Sequence, residues 1–531
     1  MNHFQLFYLL LFVFVCSCVE NKLQEDNIFR YNETSAVTSL DPVFANNQSN
    51  IWVTNQLFNT LIELDTNLQV TPSIAKKWTL AKDKLSYNFI LRNDVYYHKS
   101  HCFGNDSTRL LIAEDFIYSI SRLQDPNILS PGAWVLDYID VEKTYAIDDT
   151  LLVIGLKQPF PGFLGLLSMN YFSFVPPEAF ACDGLDFSTN PIGTGPFNFK
   201  YWRQNEKLVL RKNIKYFEYD DNLIRLPYLD GISISFITQK ESVFMNFILG
   251  NFDFVSCLDH SFKDEFLSLD GNLLKEYDDK FYLLSTPYLN TEYLGINIPR
   301  AKLKDSPLQY KEFRKALNYS FDRSIMTKYL RNGLVSPAYK GFVPDILSNC
   351  YNVKGFSYNP DSVYKLLSNV PINTESVILH TTQDYLDICE FIKHSASQFG
   401  IEIDIQISSP SIHRQLFSSG SSSLFRASWI ADYPDPENFL SLFYSNYKSP
   451  FGPNYTHFNN HEYDSLYNLS FLNNNDRCLL FAKMDSIILE EATIIPLYYD
   501  YVFRLVSKDV TGMSINSMNS LSLKRVQKQL N

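Results

Sequence analysis

The sequence predicts an α/β protein with more than one lobe. Segments that alternate polar and apolar residues predict half-buried strands in the first half of the chain, and a helix, a glycine and a strand follow one another at residues 384–407. The length of 531 residues allows about two to four domains. Hydrophobic residues make up 45% of the chain and charged residues 20%, which is typical of globular proteins with a large core and not of disordered ones.

Hydrophobic periodicity places the individual elements. Strands are predicted at residues 86–91, 150–156, 207–211, 231–237, 401–407 and 494–506. Helices are predicted at residues 113–123, 311–320, 322–330, 384–399 and 477–491. Asp125-Pro126 ends the first helix, and Gly400 suits the end of the helix at 384–399 because glycine readily adopts the left-handed conformation.

The charge balance argues against a nucleic-acid partner. The formal net charge is −12, whereas a nucleic-acid-binding surface would be basic. The terminal Lys524, Arg525 and Lys528 are interpreted as a small solvated cluster.

The N-terminus predicts export and a lipid anchor. Residues 6–15 form an apolar run that is too short to span a bilayer but has the length of a signal-peptide core. The run leads into Val15-Cys16-Ser17-Cys18, which resembles a bacterial lipobox. The resemblance implies a signal peptide at 1–17, cleavage before Cys18, diacylglycerol on its thiol, and a tether at 18–27. The alternative is an ordinary secretory signal cleaved after Ser17.

Six cysteines follow Cys18, and none of them forms a C-x-x-C pair. They lie at positions 102, 182, 257, 350, 389 and 478. In an oxidising compartment one or two disulfides remain open, with a pairing that the sequence does not give. The interpretation that we favour is six small buried hydrophobic residues.

Nine short motifs, in order along the chain, resemble the dipeptide- and oligopeptide-binding proteins of bacterial ABC importers. They are Ser39-Leu40-Asp41-Pro42, LFNTL at 57–61, IAKKW at 74–78, LRNDV at 91–95, DFIYS at 115–119, NPIGTGPF at 190–197, FRKALN at 313–318 followed by Asp322-Arg323, RASWIADYPDP at 426–436, and PLYY at 496–499. Each motif alone is weak, and the conserved order over nearly the whole mature chain makes the resemblance specific.

The resemblance implies a periplasmic-binding-protein-like α/β fold of two lobes with a hinge between them and an additional inserted α/β domain. Carried over to this chain, lobe I comprises residues 28–55, 186–285 and 496–531. The inserted domain II comprises residues 56–185, and lobe III comprises residues 290–495.

A site for peptides needs an acid for the α-ammonium, a cation for the α-carboxylate, and an extended backbone that pairs with the ligand. Residues 426–432 offer all three. The resemblance implies that Asp432 binds the ammonium and that Arg426 binds the carboxylate of a ligand of suitable length. Ser428, Trp429 and Ile430 are then expected to supply the pairing backbone, with Trp429 lining the cleft.

A second pairing strand is predicted at Asn46, Asn47 and Gln48, from the spacing between Pro42 and Phe58. One position departs from the tripeptide-type members of the family. Those proteins carry a ligand-contacting tyrosine after a Ser-Pro pair, whereas Gly132 follows Ser130-Pro131 here.

Enzymatic signatures are missing from the sequence. There is no G-x-S-x-G nucleophile elbow, no H-E-x-x-H zinc motif and no phosphate loop after Gly193-Thr194-Gly195. His98, His101 and Cys102 form a metal-like cluster that we interpret as a surface loop. We therefore predict a protein without catalytic activity, cofactor or metal.

The predicted function is capture of short peptides between two lobes and their delivery to an ABC permease and its ATPase. The protein is expected to be monomeric, anchored in the cell envelope by lipid and facing the periplasm or the outside. Two alternatives remain open. The same fold could bind a nickel chelate, haem or an oligosaccharide, or the protein could sense peptides without transport.

Overall fold

A computed structural model describes residues 27–256, 263–268, 271–371, 376–472 and 476–529. The predicted signal peptide, Cys18 and nearly all of the tether lie outside these residues. None of the helices in the described ranges combines the length and the apolar composition that crossing a membrane requires.

The described strands are β1 (Ile28–Asn32), β2 (Ile62–Leu64), β3 (Val70–Pro72), β4 (Ala75–Leu80), β5 (Ser86–Leu91), β6 (Ile139–Asp148), β7 (Leu151–Leu156), β8 (Phe197–Arg203), β9 (Lys207–Lys212), β10 (Gly231–Ser235), β11 (Phe254–Ser256), β12 (Phe281–Ile296), β13 (Ser336–Pro337), β14 (Val377–Thr381), β15 (Ile403–Ile407), β16 (Leu424–Ile430), β17 (Ile494–Ser507), β18 (Val510–Thr511) and β19 (Gln527–Lys528).

The described α-helices are Gln48–Leu57, Ala113–Gln124, Phe163–Leu166, Lys240–Ile248, Lys263–Phe266, Ile298–Leu303, Lys311–Tyr319, Arg323–Leu330, Pro360–Leu367, Leu386–Ser397, Pro410–Ser418, Pro436–Leu440, His461–Leu472 and Arg477–Glu491.

The main sheet has eleven strands in the order β15-β14-β16-β12-β17-β11-β1-β10-β9-β8, with β13 added beside β17. Two long strands, β12 and β17, run through its middle and pair with each other along most of their length. The register between them shifts between Pro287 and Thr291. The strands β14, β15 and β16 lie on one side of this central pair and β1 and β8–β11 on the other, which gives the two-lobe α/β arrangement that the resemblance implied.

A separate four-stranded antiparallel sheet has the order β4-β5-β7-β6. All four strands lie in the part of the sequence assigned to the inserted domain. Strand β5 covers the predicted residues 86–91, and its burial alternates because one face packs on the core. The helix Ala113–Gln124 begins where Asp115 accepts a hydrogen bond from the Ile112 N–H, and it ends before Asp125.

Most of the other elements that periodicity predicted are present with bounds that differ by a few residues. The helix that ends near Gly400 begins at Leu386 instead of 384, because Gln383–Tyr385 forms a 3-10 turn. Gly400 has φ of +76°, as its predicted role requires. The sixteen-residue strand β12 was not predicted, because its second half is buried on both faces and shows no alternation.

Four of the six cysteines are oxidised. Cys102 is bonded to Cys182 and Cys350 to Cys478, so the favoured interpretation of six reduced residues is wrong for these four. Cys389 is free and buried, and Cys257 lies outside the described residues.

Candidate functional site

A cavity of about 470 Å³ lies between the helix Gln48–Leu57, the end of strand β16 and the segment 518–524. Five stretches of chain line it, at 45–52, 55–64, 168–173, 430–432 and 518–524. The structure thereby brings Asn46, Asn47 and Gln48 together with Ile430 and Asp432, as the sequence analysis expected of ligand-binding residues. Arg426, Ser428 and Trp429 do not line this cavity.

The conformation of the first stretch differs from the predicted pairing strand. Gln48 is the first residue of the helix Gln48–Leu57, and Asn47 is its N-cap, whose side chain accepts a hydrogen bond from the Asn50 N–H at 3.0 Å. The prediction of a strand at 46–48 is therefore wrong, because Asn at this position satisfies the helix terminus instead. The Gln48 Oε1 accepts from Asn519 Nδ2 at 3.1 Å, which ties this stretch to the C-terminal wall of the cavity.

The far end of the same helix is fixed by glycines. The Gly195 N–H donates to the Leu57 carbonyl at 2.9 Å, and a Cβ on Gly193 would lie 2.0 Å from the same oxygen. His98 is buried and bridges the turn: its Nδ1 accepts from the Gly193 N–H and its Nε2 donates to the Gly195 carbonyl. Burial lowers the pKa of His98 to about 4, so it is a neutral structural residue.

Asp432 lies just after strand β16 and faces the cavity. Its carboxylate receives one hydrogen bond from the described residues, from Asn438 Nδ2 at 3.4 Å. Burial raises the pKa of Asp432 to about 6, against the smaller lowering effect of Asn438. The carboxylate is thus desolvated and weakly compensated, a state that a ligand cation would stabilise.

Strand β16 presents the predicted pairing backbone. Ser428, Trp429 and Ile430 pair on one side with β12, whereas β14 reaches only as far as Leu424 and Phe425. No described strand pairs with the other edge at 428–430. This short edge can accept an extended ligand by strand addition.

The indole of Trp429 is held in place by a hydrogen bond to Asn438. Its Nε1 donates to Asn438 Oδ1 at 3.0 Å, and the same oxygen accepts from the Asp432 N–H at 3.1 Å. Asn438 therefore orients both the tryptophan and the carboxylate. Nothing in the sequence pattern distinguished Asn438 from the other polar residues of its helix.

The guanidinium of Arg426 is already paired. Its Nη1 lies 3.3 Å from Glu292 Oε2, and its Cζ lies 3.3 Å from the ring centroid of Tyr385. Burial raises the pKa of Glu292 to about 7, with Arg426 acting in the opposite direction. In this conformation Arg426 compensates a buried acid of the neighbouring strand β12.

Tyr171 fills the space that Gly132 leaves. A Cβ on Gly132 would lie 2.3 Å from Cδ1 of the tyrosine ring, and Tyr171 also lines the cavity. Burial raises the pKa of Tyr171, and the negative charge of Asp432 raises it further by a smaller amount. An aromatic ring thus stands at the position where the sequence departs from the tripeptide-type family members, although it comes from a different part of the chain.

An ion cluster forms a second polar wall that the sequence analysis missed. Lys524 Nζ lies 2.7 and 3.0 Å from the two carboxylate oxygens of Glu63, and 2.8 Å from Glu218 Oε2. Tyr216 donates to Glu218 at 2.6 Å. The interpretation of Lys524 as a solvated residue is wrong, because it is 9% exposed and its partners lie hundreds of positions away in the sequence.

The metal-like cluster of the sequence contains a disulfide. His101 Nε2 lies 3.3 Å from Cys182 Sγ and 3.9 Å from Cys102 Sγ. The two sulfurs bond to each other, so their thiolates are not available as metal ligands. His98 points elsewhere, to the glycine turn.

Comparison with known proteins identifies the family. The profile of the bacterial extracellular solute-binding proteins, family 5, matches residues 69–451. The chain belongs to this family. It is accordingly an extracytoplasmic protein of a family of binding proteins.

Individual relatives cover nearly the whole chain. The periplasmic murein peptide-binding protein MppA of Escherichia coli (strain K12) is 25% identical over 92% of this chain and 90% of that protein. Heme-binding protein A of Haemophilus influenzae is 25% identical over 93% and 91%. The structure of the Helicobacter pylori periplasmic binding protein DppA, in complex with the peptide STSA, superposes with a TM-score of 0.76 over 95% of this chain and 98% of that one, at 21% identity.

Proposed function

We propose that this chain captures short peptides in the cavity and delivers them to an ABC permease and its ATPase. The carrying observation is that Asp432, a buried and weakly compensated carboxylate, follows directly on the unpaired edge of 428–430. An N-terminal ammonium can pair with Asp432 while the next peptide groups pair with this edge. This combination recognises the N-terminal ammonium and the backbone, which all peptides share. The rest of the cavity then accommodates the side chains.

The other predicted residues have the following places in this proposal. Asn46, Asn47 and Gln48 face the ligand from the opposite wall, through side chains and the helix N-terminus. Arg426 does not line the cavity while it is paired with Glu292, and it binds a ligand carboxylate only after leaving that partner. The lobes, with the bounds given above, close about β12 and β17, where the shift between Pro287 and Thr291 interrupts the regular pairing.

The anchor is part of the proposal. Cys18 carries the lipid, and the residues that follow form the tether. Replacing Cys18 with serine should abolish incorporation of labelled fatty acid and release the protein from the membrane fraction. Unchanged labelling would assign the lipid to another residue.

The ligand is identified by native mass spectrometry of residues 19–531, purified without added ligand, followed by denaturation and sequencing of the released molecules. We expect a monomer carrying a mixture of short peptides. The Asp432→Asn variant should emerge empty, while the exposed control Asp83→Asn should carry the same mixture. Release of one non-peptide mass, haem for example, would overturn the peptide assignment.

Delivery needs a separate measurement, because a peptide sensor would pass the first test. The peptide-loaded protein should stimulate ATP hydrolysis by its permease complex in vesicles. If the protein binds peptides but neither stimulates ATP hydrolysis nor supports peptide uptake by cells, the sensor is favoured.

A further inference from the structure

The cavity carries an excess of negative charge. Its charged lining residues are Glu63, Asp432 and Lys524, and Glu218 lies directly against the lysine. These four groups comprise three carboxylates and one ammonium, which pairs with two of the three. Arg525, a further cation near Glu63, is exposed, and its effect is reduced by solvent and salt.

Glu63 is the carboxylate at this wall that a ligand can reach. Its side chain retains 39% of its exposure and lines the cavity, whereas Glu218 is 17% exposed and accepts hydrogen bonds from both Tyr216 and Lys524. Lys524 is divided between the two acids, so neither is fully neutralised.

We propose that the cavity wall formed by Glu63, Glu218 and Lys524, here called the Glu63 wall, is a subsite for a basic side chain. The preferred ligands are then short peptides that contain lysine or arginine. This inference rests on the proposed function, in which Asp432 holds the N-terminus. An ammonium or guanidinium would bind Glu63 through charge-assisted hydrogen bonds. The uncharged polar lining residues Asn59 and Ser73 provide further acceptors for such a group.

An acidic side chain fits this wall poorly. A ligand carboxylate that approached Lys524 would meet Glu63 and Glu218, which already surround the ammonium at 2.7 to 3.0 Å. Like charges at such distances repel, and the repulsion is strongest where water is excluded. The wall therefore selects against acidic residues as well as for basic ones.

The test uses alanine peptides of three to five residues. One position after the first is replaced at a time, by lysine, norleucine or glutamate. Binding is measured by titration calorimetry on wild-type protein freed of ligand, and on Glu63→Gln. Glutamine keeps the size of the side chain and an acceptor for Lys524 but removes the charge. Glu206→Gln is the matched control, because Glu206 pairs with Arg203 on the exposed surface.

We expect lysine at one position to bind about tenfold tighter than norleucine, and glutamate to bind more weakly than norleucine. Glu63→Gln should remove the advantage of lysine over norleucine, and Glu206→Gln should leave that advantage as it is in the wild type. The comparison of lysine, norleucine and glutamate peptides on the wild-type protein needs no variant. It therefore tests the inference even if Glu63→Gln is unstable.

Three outcomes would overturn the inference. They are equal affinity for lysine and norleucine at every position, a lysine preference that survives in Glu63→Gln, and a preference for glutamate, which would assign the wall to Lys524. If peptides bind in an Asp432-dependent way without such preference, the proposed function stands and only the subsite fails. If no peptide binds, both fail.

Discussion

The ring of Tyr171 lies over Gly132 so closely that a Cβ on residue 132 would stand 2.3 Å from Cδ1 of the tyrosine. Gly132 has φ of −88°, a conformation open to every residue type, so glycine is needed here for space and not for backbone freedom. This contact couples a loop near the helix Ala113–Gln124 to the wall of the cavity next to Asp432.

Gly132→Ala should therefore destabilise the protein and weaken ligand binding, because the added methyl group displaces Tyr171. Overpacking of this kind costs about 1–3 kcal/mol in the free energy of unfolding, measurable by urea denaturation. In a Tyr171→Ala background the same substitution should be nearly neutral, since the two residues are in contact. Equal costs of Gly132→Ala in both backgrounds would contradict the proposed coupling.

Peptide affinity should depend on the protonation of Asp432. Its pKa is raised to about 6 by burial, and a protonated carboxyl cannot pair with an ammonium. The dissociation constant measured by calorimetry should thus rise about tenfold for each pH unit below about 6. Asp432→Asn should bind weakly and without this dependence. A wild-type affinity that stays constant across this range would assign the ammonium to another group.

Three buried acids should contribute a stabilisation of the ligand-free protein that falls as pH rises from about 4 to about 7. Burial raises the pKa values of Glu292, Glu437 and Asp485 to about 7. Because the folded-state values exceed those of the unfolded chain, near 4, the stabilisation from bound protons is complete below about pH 4. It is lost as pH rises through about 7, where the folded protein also releases its protons.

Thermal unfolding at several pH values tests this dependence. Asp485→Asn should flatten the profile, because it removes one of the protons, whereas the exposed Asp83→Asn should leave the slope unchanged. An identical pH dependence of the melting temperature in wild type and Asp485→Asn would show that Asp485 is ionised in the folded protein.

Loss of the disulfide Cys350–Cys478 should lower stability by about 2–5 kcal/mol, because the bond closes a long loop in the unfolded chain. The two residues are 128 positions apart. The double variant Cys350→Ala/Cys478→Ala, compared by urea denaturation with wild type, measures the effect. A reductant should reduce the stability of wild type more than that of the variant, in which Cys102–Cys182 is the one disulfide left of the two that the described residues form. Equal responses to the reductant would contradict the bond.

Arg426→Met should destabilise the protein by about 3–5 kcal/mol, because it leaves the buried Glu292 unpaired. The double variant Arg426→Met/Glu292→Gln should recover most of that loss, since no uncompensated charge remains. Urea denaturation of both variants and of Glu292→Gln alone completes the cycle. Independent, additive effects would show that the 3.3 Å contact contributes nothing to stability.

Local structure followed from the sequence because periodicity is a property of neighbouring residues. Strand β5 matches its predicted bounds, and the helix Ala113–Gln124 differs by one residue. Asp432 and Ile430 were placed at the cavity because the motif at 426–436 carries them. The same motif could not show that Arg426 is held by Glu292, a residue on the neighbouring strand β12.

The sequence by itself determined the α/β class, the family and the acid that we assign to the peptide N-terminus. Only the tertiary structure decided the disulfide pairing, the replacement of a side chain at Gly132 by the ring of Tyr171, and the contact of Lys524 with Glu63, 461 positions away. These relationships join segments that have no common periodicity. They exist because the chain crosses between its lobes several times and its C-terminal segment returns to the wall of the cavity.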